Sequence, residues 1–170
     1  MKSRGLLLAA VAGILLGMSA SVASAQSSVN LSTNANAQIL AALRLTFVRD
    51  LNFGSLVPSA SAGTVTVTPA SARSRTGGVT LVTGAAPQSA RFTVQGQRNK
   101  SYTIALPASV SIASGGNSMS VATFTSNLPS PSTLPNNGRQ TLNVGATVAV
   151  AADQPAGTYA STFTVTVAYN

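Results

Sequence analysis

From Tyr159 to Tyr169 the chain alternates between two kinds of side chain. Tyr159, Phe163, Val165, Val167 and Tyr169 fall on one side, and Thr162, Thr164, Thr166 and Ala168 fall on the other. A side-chain period of two, rich in β-branched residues, is the pattern of a β-strand with one buried face. It does not fit an amphipathic helix, whose apolar residues recur every three to four positions. A strand also needs hydrogen-bond partners along both edges, and an unpaired edge is a template for another chain. The stretch has no lysine or proline of the kind that blunts an exposed edge. What pairs with this strand is the first question the sequence raises.

The same periodicity recurs upstream. Val29, Leu31, Thr33, Ala35, Ala37 and Ile39 alternate with Asn, Ser and Gln, which predicts a first strand. Leu43, Leu45 and Phe47 predict a second. Leu and Ala at 39–43 are good helix formers, but the alternation on both sides argues for strand. Leu51 and Phe53 alternate briefly before Gly54 and Pro58. Residues 63–69 read as a short strand ended by Pro69, which cannot donate to a ladder. Further strands are expected around Val79–Val82, Phe92–Val94 and Tyr102–Leu106. Val110 and Ile112 lead into Ser114-Gly-Gly-Asn117, a hairpin signal because glycine accepts positive φ without a steric penalty. Met119, Val121 and Phe124 return from it. Residues 127–138, with three prolines and Asn136-Asn-Gly138, read as a loop. Leu142, Val144, Val148 and Val150 form another strand, and Asp153-Gln-Pro-Ala-Gly157 is the last turn.

About nine or ten short strands at roughly ten-residue spacing, with no helix signal, predict an antiparallel immunoglobulin-like β-sandwich. The likeness is architectural, since the Cys–Trp–Cys core of antibody domains is absent: the chain has no Cys and no Trp.

The first residues predict export. Lys2 and Arg4 precede an apolar run from Leu6 to Met18, and Ala23-Ser24-Ala25 is a small-residue cleavage site. That run is shorter than the roughly 20 residues a membrane-spanning helix needs, so residues 1–25 read as a secretory signal peptide. The expected location is the periplasm, the cell surface or the medium. The mature chain divides into an N-terminal extension or first strand, 26–40, and a sandwich domain, 41–170.

Without Lys2 and Arg4, eight basic side chains face two aspartates, a net charge of +6. Such a surface attracts anionic polymers and anionic surfaces. The basic residues are scattered and no aromatic side chains interleave with them, which argues against nucleic acid. Arg73 and Arg75 are the pair expected to weaken anion binding if reversed.

The chain has no His, Cys or Glu. Histidine proton shuttling, thiolate chemistry and His- or Cys-based zinc sites are thereby excluded. Asp50 and Asp153 lie far apart in sequence, so Asp50 is expected to pair locally with Arg49 and Asp153 to cap its turn. No catalytic, metal or cofactor site is predicted, and the expected function is non-enzymatic.

Two features carry resemblances to known families. Gly157 precedes the alternating run and Tyr169 nearly ends it, a pattern that resembles the C-terminal signature of chaperone–usher pilins and spore coat protein U-like subunits. Arg49-Asp-Leu-Asn-Phe-Gly-Ser-Leu-Val-Pro58, Gly63-Thr-Val-Thr-Val-Thr-Pro69, Leu142-Asn-Val-Gly-Ala-Thr-Val148 and Ala156-Gly-Thr-Tyr159 are similar to an exported bacterial β-domain family, domain of unknown function 4402. The pilin resemblance implies an incomplete sandwich finished by strand addition, with a periplasmic chaperone and an outer-membrane usher as partners. It places Gly157, Tyr159, Phe163, Val165, Val167 and Tyr169 at the assembly groove. Val29, Leu31, Ala35, Ala37 and Ile39 would then form the donor strand. Many pilins have a disulfide early in the domain, and this chain has none. The expected function is an exported structural subunit of a fibre or coat that associates with copies of itself or with homologous subunits. The alternative is a monomeric periplasmic or surface sandwich that binds glycan or an anionic surface.

Overall fold

The longest strand, Arg139–Val150, organises the molecule. The computed structural model describes residues 29–84 and 86–170, so the expected signal peptide lies outside the described residues. In chain order the strands are β1 (Arg44–Arg49), β2 (Leu56–Val57), β3 (Gly63–Val67), β4 (Arg73–Gly77), β5 (Thr80–Leu81) and β6 (Ala90–Gln95). They continue with β7 (Ser101–Ala105), β8 (Ser109–Ser114), β9 (Asn117–Ser126), β10 (Ser132–Thr133), β11 (Arg139–Val150) and β12 (Thr166–Tyr169). Every ladder is antiparallel. The protein is an all-β antiparallel sandwich, as the periodicity predicts.

The register shows how β11 is used. Arg139–Val144 pair with β6, Ala146–Val150 with β3, and Val144–Val148 with β9. Val144 pairs with both β6 and β9, and Val148 with both β3 and β9. So β6 and β3 lie end to end along one edge of β11, and β9 takes the other. β1 joins the outer side of β6, β4 that of β3 and β8 that of β9, giving seven strands. Gly145 sits at the changeover, where a Cβ would come within 2.2 Å of the Val67 carbonyl oxygen. A second sheet, β10-β7-β12, and the short pair β2–β5 complete the structure.

Side chains alternate along β6 and β11, so one face of the large sheet is apolar. Ala90, Val94, Leu142 and Val144 meet Tyr102, Ile104 and Leu134 in one core cluster. Val65, Val79, Val121, Ala146, Val148 and Val150 form a second. The β8–β9 turn is the expected hairpin, with φ of 55° at Gly115 and 86° at Gly116.

Three expectations need correction. Val29–Ile39 form no strand, and Val29, Leu31 and Ile39 are 89%, 93% and 96% exposed. Alternation makes a segment fit for a strand, but no strand forms without a ladder to satisfy its backbone. The second predicted strand does form, as β1. Residues 127–138 are more than a loop: they contain β10, and Leu134 is fully buried between backbone bonds from Leu134 N to Lys100 O (3.0 Å) and from Asn99 N to Leu134 O (2.9 Å). Finally, the C-terminal ladder covers only Thr166–Tyr169, not the whole run from Tyr159.

Candidate functional site

Four residues of the C-terminal run do share a buried side. Phe163, Val165, Val167 and Tyr169 are half-buried against the first core cluster, while Thr162, Thr164, Thr166 and Ala168 are exposed. Their backbone is paired unevenly. Thr166–Tyr169 pair with β7, the one ladder partner of β12 among the described residues. Ser161–Val165 keep the same alternation but belong to no ladder. A single bridge from Ala160 to Ala113 of β8, with reciprocal bonds of 3.2 Å, anchors the start of this segment.

Each end is fixed by a tyrosine. Tyr159 Oη donates to the Pro155 carbonyl (2.8 Å) and accepts from Gln154 Nε2 (2.9 Å), which locks the preceding turn. Tyr169 Oη accepts from Gln97 N (2.6 Å) and donates to the Ala41 carbonyl (2.9 Å). The ring fits because Gly96 has no side chain: a Cβ there would stand 2.2 Å from the hydroxyl. Gly157 is exposed, and a Cβ on it would meet the Ser114 hydroxyl at 2.5 Å.

Phe163 is the centre of an aromatic chain. Its ring lies edge-on to Phe92 (6.5 Å, 82°) and tilted against Phe124 (5.1 Å, 45°), and Phe92 in turn meets Phe47 edge-on (6.2 Å, 71°). Such pairs add about 0.5–1.5 kcal/mol each beyond area burial. This chain forms part of the wall of a cleft of about 1180 Å³ between the large sheet, the 50–58 segment and the 154–163 segment. Leu51, Phe53, Leu56, Val121 and Val148 supply apolar wall, and Asp50 is its one carboxylate. The arrangement suits an extended apolar chain: alternate pockets receive side chains, and an unpaired backbone lies alongside.

The predicted groove residues Gly157, Tyr159 and Phe163 line this cleft, and Val165, Val167 and Tyr169 continue the same face along the core. The proposed donor residues Val29, Leu31, Ala35, Ala37 and Ile39 are all exposed and in no sheet. Phe47, Phe92 and Phe124 read from the sequence only as strand residues, and the structure brings them into this site. Each stands on an alternating strand, but which strands face each other is not written in any one of them.

Two charged residues behave differently from expectation. Arg49 does not turn to Asp50. Its Nε donates to the Ser89 carbonyl (2.9 Å) and its Nη2 to the hydroxyls of Ser71 and Ser89 (3.2 Å each), neutral acceptors that its planar fork reaches without bending. Arg73 donates to the carbonyls of Phe53 (3.0 Å), Ser55 (3.4 Å) and Val82 (3.0 Å). It ties the cleft wall to β4 and is not a free surface charge. Among the described residues no three of His, Cys, Asp or Glu come together as a metal site, and no helix is long and apolar enough to cross a membrane.

Comparison with known proteins gives one result. Residues 43–169 match the sequence model of a family described as Domain of unknown function (DUF4402). No curated protein and no solved structure matches.

Proposed function

The chain belongs to the domain of unknown function 4402 family, and from that premise we propose that it is a non-enzymatic, exported structural subunit of a surface fibre or coat. Copies join by β-strand addition along the C-terminal segment. The observation that carries this reading is the state of Ser161–Val165: extended, alternating, beside an apolar cleft, and without a ladder partner. A backbone in that state presents donors and acceptors that an incoming strand would satisfy.

The alternating residues ahead of the domain support the same reading. Val29, Leu31 and Ile39 stand in water in the single chain. Fully burying a side chain of this kind stabilises by about 1.5–3 kcal/mol, so docking the three into another subunit's cleft would contribute several kcal/mol on top of the new ladder. Ala35 and Ala37 would fill pockets too shallow for larger residues. The signal peptide at 1–25 would deliver the subunit across the inner membrane, where a chaperone and an usher would serve as partners during assembly.

The test is direct. Residues 26–170 expressed in the periplasm should run as a ladder of oligomers in mild SDS. Removal of residues 26–40 should collapse the ladder to monomer. A sharp monomer that the truncation leaves unchanged overturns the proposal.

A further inference from the structure

The opposite face of the large sheet carries a second pattern. Register places Arg44, Gln95 and Arg139 in one row across β1, β6 and β11, and Thr46, Thr93 and Thr141 in the next. Beyond a bulge at the end of β1, Arg49 stands opposite Arg91, and Arg91 opposite Asn143. These positions alternate with the core residues Leu45, Val94, Phe92 and Leu142, so the rows face away from the core.

The guanidinium groups are held in place by neutral partners. Arg91 Nε donates to Asn143 Oδ1 (3.1 Å). With the Gln95 amide oxygen turned toward it, Arg139 donates through Nη2 (2.5 Å) and Nε (2.7 Å). Each arginine has five N–H donors, so both keep free donors and a full positive charge. No aspartate or glutamate occurs in β1, β6 or β11. Like charges directly opposite each other in a ladder are destabilising, and Arg49 against Arg91 is such a pair. Four arginines on three adjacent strands, with no acid among them, cost stability in the free protein that a bound anion offsets.

The geometry points to an anionic polysaccharide strand as the occupant. Strand spacing puts the backbones of Arg44 and Arg139 about 10 Å apart, and the first and third rows are roughly 13 Å apart along β6. A polymer with charges at intervals matches such a spread, and a single small anion does not. The threonine row between the cations offers hydroxyls to sugar hydroxyls. A second copy of this chain cannot supply the charge, because its only acids are Asp50 and Asp153. The rows hold no aromatic side chain on which bases would stack, and no apolar side chain to enter a lipid surface. This face is independent of the assembly cleft: on β6, Phe92 lines the cleft while Arg91 and Thr93 stand on the other side.

The experiment measures binding of the full chain to immobilised polygalacturonate, with neutral dextran and anionic phospholipid vesicles as comparison surfaces. Binding to polygalacturonate that weakens as salt rises, without binding to dextran, is expected. Arg44 and Arg139 are both exposed, so Arg44→Gln with Arg139→Gln should leave the melting temperature unchanged or slightly raised, as like-charge repulsion is relieved, and weaken binding about tenfold or more. Arg75→Gln with Lys100→Gln removes the same charge away from these rows and should change binding less than about twofold, within the effect of diffuse net charge. Equal losses in the two double variants, preference for the vesicles, or no binding to polygalacturonate would each overturn the inference. Polymerisation is not required for any of these readouts.

Discussion

Arg73 and Arg75 stand two positions apart on β4 and look interchangeable in the sequence. Their surroundings separate them. Arg73 spends its fork on three carbonyls, those of Phe53 and Ser55 in the cleft wall and that of Val82, whereas Arg75 is exposed and reaches only the Gly77 carbonyl, at 3.5 Å. Losing a charged donor that leaves carbonyls unsatisfied costs about 1.5–3 kcal/mol. Arg73→Ala should lower the urea midpoint by about that free energy, and Arg75→Ala should stay within about 0.5 kcal/mol of the parent. Tyr102 makes a second residue-scale case. Its side chain is fully buried, its hydroxyl donates to Gln140 Oε1 (2.9 Å), and burial pushes its pKa above 10.0, with a hydrogen bond to Ser132 acting in the opposite direction. The folded state therefore holds the proton more tightly than the unfolded chain. The stability this contributes is complete below pH 10 and is lost as pH rises through the raised value. Unfolding measured from pH 8 to 12 should show a steeper alkaline decline for the parent than for Tyr102→Phe.

At the scale of the element, the C-terminal run divides at Val165. Downstream of it the backbone is engaged with β7, and upstream it is not. Thr164→Pro removes an amide that no ladder uses. The monomer should melt within a few degrees of the parent, while the oligomer ladder should disappear, because proline cannot donate to an added strand. Loss of stability with assembly intact would show that the segment is already fully paired. The sequence made the sides of this run legible, since Phe163, Val165, Val167 and Tyr169 fall together as the period of two requires. It did not reveal the length of the ladder, because pairing depends on β7, about sixty residues upstream, and not on the run itself. β4 was illegible for a related reason: Arg73-Ser-Arg-Thr-Gly77 has no apolar alternation, and only pairing with β3 makes it a strand. Val29–Ile39 failed in the opposite sense, having the alternation without the ladder. The hairpin at Gly115-Gly116 was legible because its cause is local, with both residues at positive φ and open space where a side chain would be. The cationic rows were not, since arginines from three strands become neighbours only through register.

Taken whole, the molecule has two faces on one sheet with opposite chemistry. The inner face builds both core clusters and the cleft, and the outer face concentrates arginine and threonine. β11 supports both, because six of its residues bring β6 into register and its remainder brings β3 and β9. That strand follows all three of its partners in the sequence. The loop entropy of joining β3 to it, across some eighty intervening residues, is recovered only after the ladder forms. A chain in which residues 139–150 are not yet available lacks the template on which β6, β3 and β9 are assembled. The order of the strands in the sequence thus makes the main sheet wait for one template, β11, however early its partners are available.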